Sequence, residues 1–191
     1  MSAEDQTWLA ELAVRYKLIG SPNDRLDSDQ FPELLLRVDI VPASLSLAQA
    51  ASESGWGTSR FAAEGNSLFG QWSWGKGLKP TEQQGKELGE HRVAAFGSTG
   101  AAAYAYAYAR NLNTQDAYRD FRLKRAELRR RNLLVSGVAL VGTLIRYSER
   151  GQAYVDDLTN IMRQNRLGDA DDAHLRDMPV IRIVDADEKS K

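Results

Sequence analysis

Leu47-Ala48-Gln49-Ala50-Ala51-Ser52-Glu53-Ser54-Gly55-Trp56-Gly57, followed by Asn66-Ser67-Leu68-Phe69-Gly70-Gln71-Trp72, is the stretch from which the rest of the chain is read. Ala43 to Glu53 holds strong helix formers and neither Gly nor Pro, Ser44 stands where an N-cap belongs, and Gly55-Trp56-Gly57 breaks the helix. Three- and four-residue spacings put Ser46, Gln49 and Glu53 on one polar stripe, with Leu47, Ala48 and Ala51 towards the other side. The last turn of a helix carries partial negative charge, which disfavours a further ionised carboxylate, and Trp56 and Phe69 are placed to strip water from Glu53. A carboxyl kept protonated near neutral pH is what glycosidic bond cleavage asks of a proton donor.

Working outward, 191 residues suffice for one well-cored domain. Residues 1–168 read as that domain, with a motif-bearing core at about 38–162, a small lobe at about 66–96, and 169–191 as a charged C-terminal extension. The 25 basic and 26 acidic side chains leave a formal charge of −1, so no global field favours nucleic acid or an anionic membrane. The chain holds no apolar run long enough for a membrane span, and Met1-Ser2-Ala3-Glu4-Asp5 is acidic where a secretion signal is basic and then apolar. Without cysteine, disulfides, zinc-thiolate sites and thiol catalysis are excluded. His91 and His174 stand far apart with no cysteine companions, so neither a metal site nor a cofactor is expected.

Apolar periodicity predicts a helix over Thr7 to Ile19, stopped by Gly20 and Pro22. A second runs to Val38, capped by Asp27 or Ser28 with Pro32 near its first turn. A short helix over Thr58 to Glu64 is closed by Gly65 in the left-handed region. Residues 66 to 96 lack helical period and are rich in Gly, Trp, Lys and Gln, as a hairpin-bearing lobe is. Ser98 caps a stretch from Ala101 to Leu112. Asn113-Thr114 starts a helix carrying Tyr118, Phe121 and Leu128, and two more run over Val135 to Leu144 and Gly151 to Leu167. Tyr154, Leu158, Ile161 and Met162 point inward on the last of these. Val180 to Val184 reads as an added strand and Asp185 to Lys191 as a solvated tail. Lys124-Arg125 with Arg129-Arg130-Arg131 reads as a solvated helix face, and Tyr104, Tyr106 and Tyr108 as packing residues.

The blocks Ile40-Val41-Pro42, Ala48-Gln49-Ala50-Ala51, Glu53 to Arg60 and Asn66 to Gly70 are followed in order by Val93-Ala94-Ala95-Phe96, Tyr108 to Thr114, Ala117-Tyr118, Phe121-Arg122 and Tyr147 to Tyr154. In this order they resemble the Bax-like branch of the bacterial cell-wall glucosaminidases, within glycoside hydrolase family 73. The resemblance implies a mainly α, lysozyme-like helical domain with a small β-hairpin lobe. It also implies endo-β-N-acetylglucosaminidase action on the glycan strands of peptidoglycan, in the bacterial cell envelope.

Under that resemblance Glu53 takes the place of the general acid, and Tyr147 that of the tyrosine lining the cleaved sugar's site. The surroundings of Tyr147, Arg146-Tyr147-Ser148-Glu149-Arg150, follow the Bax-like variant and depart from the commoner Gly-Tyr-Ala-Thr-Asp-Pro. A second carboxylate from the lobe falls to Glu82, with Glu87 and Glu90 as rivals. Candidate substrate contacts are Gln49, Trp56, Asn66, Phe69, Gly70 and Trp72, with Trp56 leaning towards the core and Trp72 towards the cleft. Two rival functions share these residues: a lytic transglycosylase, and a glycan-binding or assembly module without turnover.

Overall fold

A computed structural model describes residues 2–81, 90–97 and 108–173. The sequence is realised as α1 (Ala3–Arg15), α2 (Phe31–Arg37), α3 (Ala43–Ser54), α4 (Arg60–Gly65), β1 (Trp72–Ser73), β2 (Arg92–Val93), α5 (Arg110–Thr114), α6 (Arg119–Arg130), α7 (Gly137–Leu140) and α8 (Gln152–Gln164). The mainly α domain with a small β lobe is thus borne out. Short 3-10 segments at Ser28–Gln30, Asp116–Tyr118, Val141–Leu144 and Leu167–Asp172 join or extend the helices.

The core forms around α3. Leu45 and Ala48 are wholly buried with Leu112 of α5, Phe121 of α6, Leu140 and Leu144 around α7, and Leu158 of α8. The lobe is a two-stranded antiparallel ladder pairing Trp72 with Val93 and Ser73 with Arg92. A bridge between Leu78 and Val93 extends it. Gly65 permits the lobe to pack on α4, because a Cβ there would lie 2.9 Å from Leu78 Cδ1.

Several boundaries fall elsewhere than expected, each for a local reason. α1 starts four residues early because Ser2 and Asp5 form a reciprocal capping box, and it ends before Lys17, whose φ is 56°. Ser44 is not the cap of α3; Pro42 occupies that position and the Ser44 side chain bonds elsewhere. Gly65 is the last residue of α4, and Asn66 takes the left-handed conformation after it, at φ 50°. The break expected after Leu112 comes after Thr114, at extended Gln115. The six-residue 3-10 helix Leu167–Asp172, which includes the start of the expected C-terminal extension, packs on α3 and α8. Ser98, Tyr104, Tyr106, His174 and the strand and tail expected beyond it lie outside the described residues.

The expected solvated basic face holds except at Arg125. Arg125 and Arg122 of α6 are each only 1% exposed, because the helix must bury the side that carries Phe121 and Leu128. Arg125 resolves its burial by donating to the carbonyls of Leu36 (2.8 Å) and Ile40 (2.6 Å) and to Asn113 Oδ1 (2.8 Å), with Asp39 Oδ2 3.6 Å from its Nε. Burial pulls its pKa down to about 10, so it keeps its charge at neutral pH. It ties the end of α2 and the entry to α3 onto α6. Arg125→Ala strands those acceptors and should cost about 3–5 kcal/mol, whereas exposed Arg130→Ala should change stability by less than about 0.5 kcal/mol. Thermal unfolding of the two variants checks this.

Candidate active site

Glu53 sits in the last turn of α3, and the sharp turn beyond it accounts for the Gly-Trp-Gly sequence. Gly55, Trp56 and Gly57 all have positive φ, at 57°, 59° and 78°. The Trp56 N–H donates back to the Ala51 carbonyl at 2.8 Å, and the Gly57 N–H to Ser54 Oγ at 2.7 Å, leading the chain away from the helix. A bulky residue is strained in the left-handed region. The turn holds Trp56 62% exposed, which corrects the expectation that this ring leans into the core.

The polar stripe of α3 turns inward. Ser46 and Gln49 are buried while Leu47 is exposed, the reverse of a simple amphipathic reading. The reason is a chain of hydrogen bonds whose polarity is fixed by the Gln49 amide. The Tyr108 hydroxyl donates to Gln49 Oε1 (2.6 Å) and Gln49 Nε2 donates to the Tyr154 hydroxyl (2.9 Å). That hydroxyl in turn donates to Glu53 Oε1 (2.7 Å). Gln49 is fully buried, so it supports the site from behind and does not reach a substrate.

Glu53 itself is solvent-accessible. Yet removal from water is the largest influence on its carboxyl and raises its pKa, against the lowering effects of the Tyr154 hydrogen bond and the Arg150 charge. Glu53 is thus within reach of water and partly desolvated by the surrounding protein. The Tyr147 ring stacks on Tyr154 at 5.6 Å with the planes 1° apart, and Tyr118 leans on Tyr147 at 5.8 Å. Burial and the Glu53 charge push all three phenols upward, so each keeps its proton.

The lobe meets this cluster through Phe69, which is buried and stacked on Tyr108 at 4.0 Å, so that ring face is covered. Asn66 donates from Nδ2 to the Phe96 carbonyl at 2.9 Å and so fastens the lobe to α4. Gly70, at φ 57°, makes the turn from Phe69 towards β1. Trp72 is 45% exposed and lies on the buried His91 ring at 3.9 Å, with Trp74, 62% exposed, edge-on to it. Glu90 is exposed and within 4.0 Å of Lys79. Glu82 and Glu87 lie outside the described residues. Among the described residues no cluster of potential metal ligands occurs.

Read by periodicity, Tyr154 falls among inward apolar residues and Tyr118 has no part in the site; the structure gives both to the Glu53 cluster. The available signal is the tyrosine itself, since a buried Tyr hydroxyl needs a partner and Glu53 needs a donor.

Residues 29–167 match the glucosaminidase family, described as mannosyl-glycoprotein endo-beta-N-acetylglucosaminidase, and the chain belongs to that family. It is similar to Protein bax of Escherichia coli (strain K12), at 36% identity over 167 residues that take in 86% of this chain and 57% of that protein. The chain spans little more than half the length of that relative. No solved structure matches.

Because the Glu53 pKa is raised on folding, its favourable contribution to stability is present below the ordinary carboxylate pKa and is lost as pH rises through the raised value. Glu53→Gln should therefore raise Tm at neutral pH and give no such gain below about pH 4. Tyr154→Phe removes the donor that favours the carboxylate, so the Glu53 titration should move further upward in carboxyl NMR.

Proposed function

We propose that the protein is a peptidoglycan hydrolase, an endo-β-N-acetylglucosaminidase cutting the β-1,4 bond that follows N-acetylglucosamine, with Glu53 as general acid. One observation carries this reading: an accessible yet desolvated carboxyl with one oxygen held by a phenol. Tyr154 retains its proton and donates it to Oε1. The proton of the acid therefore rides on Oε2, the oxygen left to face a leaving glycosidic oxygen. As the bond breaks, that proton passes to the departing sugar and the carboxylate left behind is stabilised by the same phenol and by the Arg150 charge.

Tyr147, stacked against Tyr154, is the residue we place beside the sugar ring that is cleaved. Trp72, the neighbouring Trp74, and Trp56 offer open ring faces to pyranose C–H groups further along the strand. Water is activated either by a carboxylate of the lobe, for which we put forward Glu82, or by attack of the substrate's own acetamido oxygen. An inverting pair would stand about 6.5–9.5 Å apart and a retaining pair about 5–5.5 Å. The peptidoglycan substrate places the working protein in the bacterial cell envelope. No helix among the described residues is long and apolar enough to cross a membrane.

Mass spectrometry of digested cell wall tests the reading. New reducing N-acetylglucosamine ends are expected, and Glu53→Gln should lower their rate by on the order of 10²- to 10⁴-fold while wall binding persists. Anhydro-muramyl ends would indicate a lytic transglycosylase instead. Equal, negligible turnover by parent and variant with binding retained would indicate a glycan-binding module.

A further inference from the structure

The helix that carries Glu53 has no cap of its own. Pro42 holds the N-cap position of α3 and offers no side-chain oxygen. Its first turn is fastened instead from the far end of the described chain, by Asp171. The Ser44 N–H donates to Asp171 Oδ1 at 2.8 Å and the Ser44 hydroxyl to Oδ2 at 2.6 Å. The Gly137 N–H, at the start of α7, donates to the same Oδ2 at 2.9 Å and lies 3.1 Å from Ser44 Oγ. The approach is close: a Cβ on Gly137 would stand 2.2 Å from Ser44 Oγ and 2.7 Å from the Leu45 nitrogen. Asp171 lies beyond residue 167, where the family match ends.

We propose that Asp171 is a positioning residue for Glu53, clamping the start of α3 so that the carboxyl at its other end is set against the Tyr154 hydroxyl. The inference rests on the reading of Glu53 as the general acid. Leu45 and Ala48, both fully buried, block sideways movement of α3. Its setting along and about its own axis is fixed by polar contacts: Asp171 on Ser44 at the start, Gln49 and Glu53 on Tyr154 towards the end. From Ser44 to Glu53 the helix spans roughly 14 Å at about 1.5 Å per residue, and it is stiff enough to carry a shift from one end to the other. Without Asp171, the fully buried Ser44 has an N–H and a hydroxyl that have lost their acceptor, and the first turn must move to find another. The negative charge also complements the positive end of the twelve-residue α3, so both terms act at the same place.

The test compares Asp171→Ala, Asp171→Asn and Ser136→Ala in the full chain. Ser136 is the control because its hydroxyl caps α7 through the Ala139 N–H at 3.3 Å and has no part in the clamp on α3. Carboxyl NMR follows the titration of Glu53, and steady-state digestion of purified cell wall separates kcat from KM. For Asp171→Ala the Glu53 midpoint should move further upward as the Tyr154 hydrogen bond is lost, and kcat should drop by about 10-fold or more with KM within about 2-fold. Asp171→Asn keeps one acceptor oxygen and should recover part of both, which also serves if the alanine variant does not fold. Ser136→Ala should lower Tm and leave both readouts as in the parent. If the Asp171 variants lower Tm while the Glu53 titration and kcat match the parent, Asp171 is a stability clamp only and the proposal is overturned. A parent without turnover, in which the Asp171 variants still move the Glu53 titration, would leave the clamp standing and remove the hydrolase reading.

Discussion

One hydroxyl holds the site together. The Tyr154 oxygen accepts from Gln49 and donates to Glu53, joining two residues of α3 through a single atom of α8. A buried phenol with both of these partners is satisfied, and each partner is thereby oriented. Remove it and the fully buried Gln49 amide loses its acceptor, while the Glu53 carboxyl loses the contact that distinguishes its two oxygens. At Glu53 desolvation and this hydrogen bond pull in opposite directions. Burial raises the Glu53 pKa, and the phenol moderates the rise.

The remainder of the fold can be understood as bracing for α3. Its buried face carries polar side chains among the apolar ones, a costly arrangement unless each is matched. Ser44 is matched by Asp171, Ser46 by the Pro42 carbonyl, Gln49 by two tyrosines and Ser54 by Ala50 and Gly57. Arg125 does comparable duty one layer out, collecting carbonyls from the chain that leads into α3. The lobe that carries the exposed Trp72 and Trp74 is attached to the same framework by Phe69 on Tyr108 and by Asn66 on Phe96.

How much of this is legible in the sequence depends on the physics of each feature. The helix ending at Glu53 and the break after it are legible, because helix formers followed by Gly-Trp-Gly have few backbone solutions. The mainly α fold and the lobe are legible from apolar periodicity and its loss between residues 66 and 96. The cap of α3 is not, because the acceptor that serves its first turn comes from Asp171 and nothing local marks a partner so distant. Arg125 passes for a surface residue because a helix rich in arginines hides which of them point inward; only the position of Phe121 on the same face gives that away. Gln49 and Trp56 exchange their expected roles for a related reason: the burial of one and the exposure of the other depend on tertiary contacts and on a strained turn that propensity does not register.

For Glu53 to serve as general acid, its carboxyl must meet a bridging sugar oxygen. A crystal structure of the Glu53→Gln variant soaked with a peptidoglycan tetrasaccharide tests it most directly. The glycosidic oxygen is expected within hydrogen-bonding distance of the position-53 side chain, on the side away from Tyr154, with a sugar ring against Tyr147. A tetrasaccharide bound elsewhere, with the groove filled only by water, would contradict it.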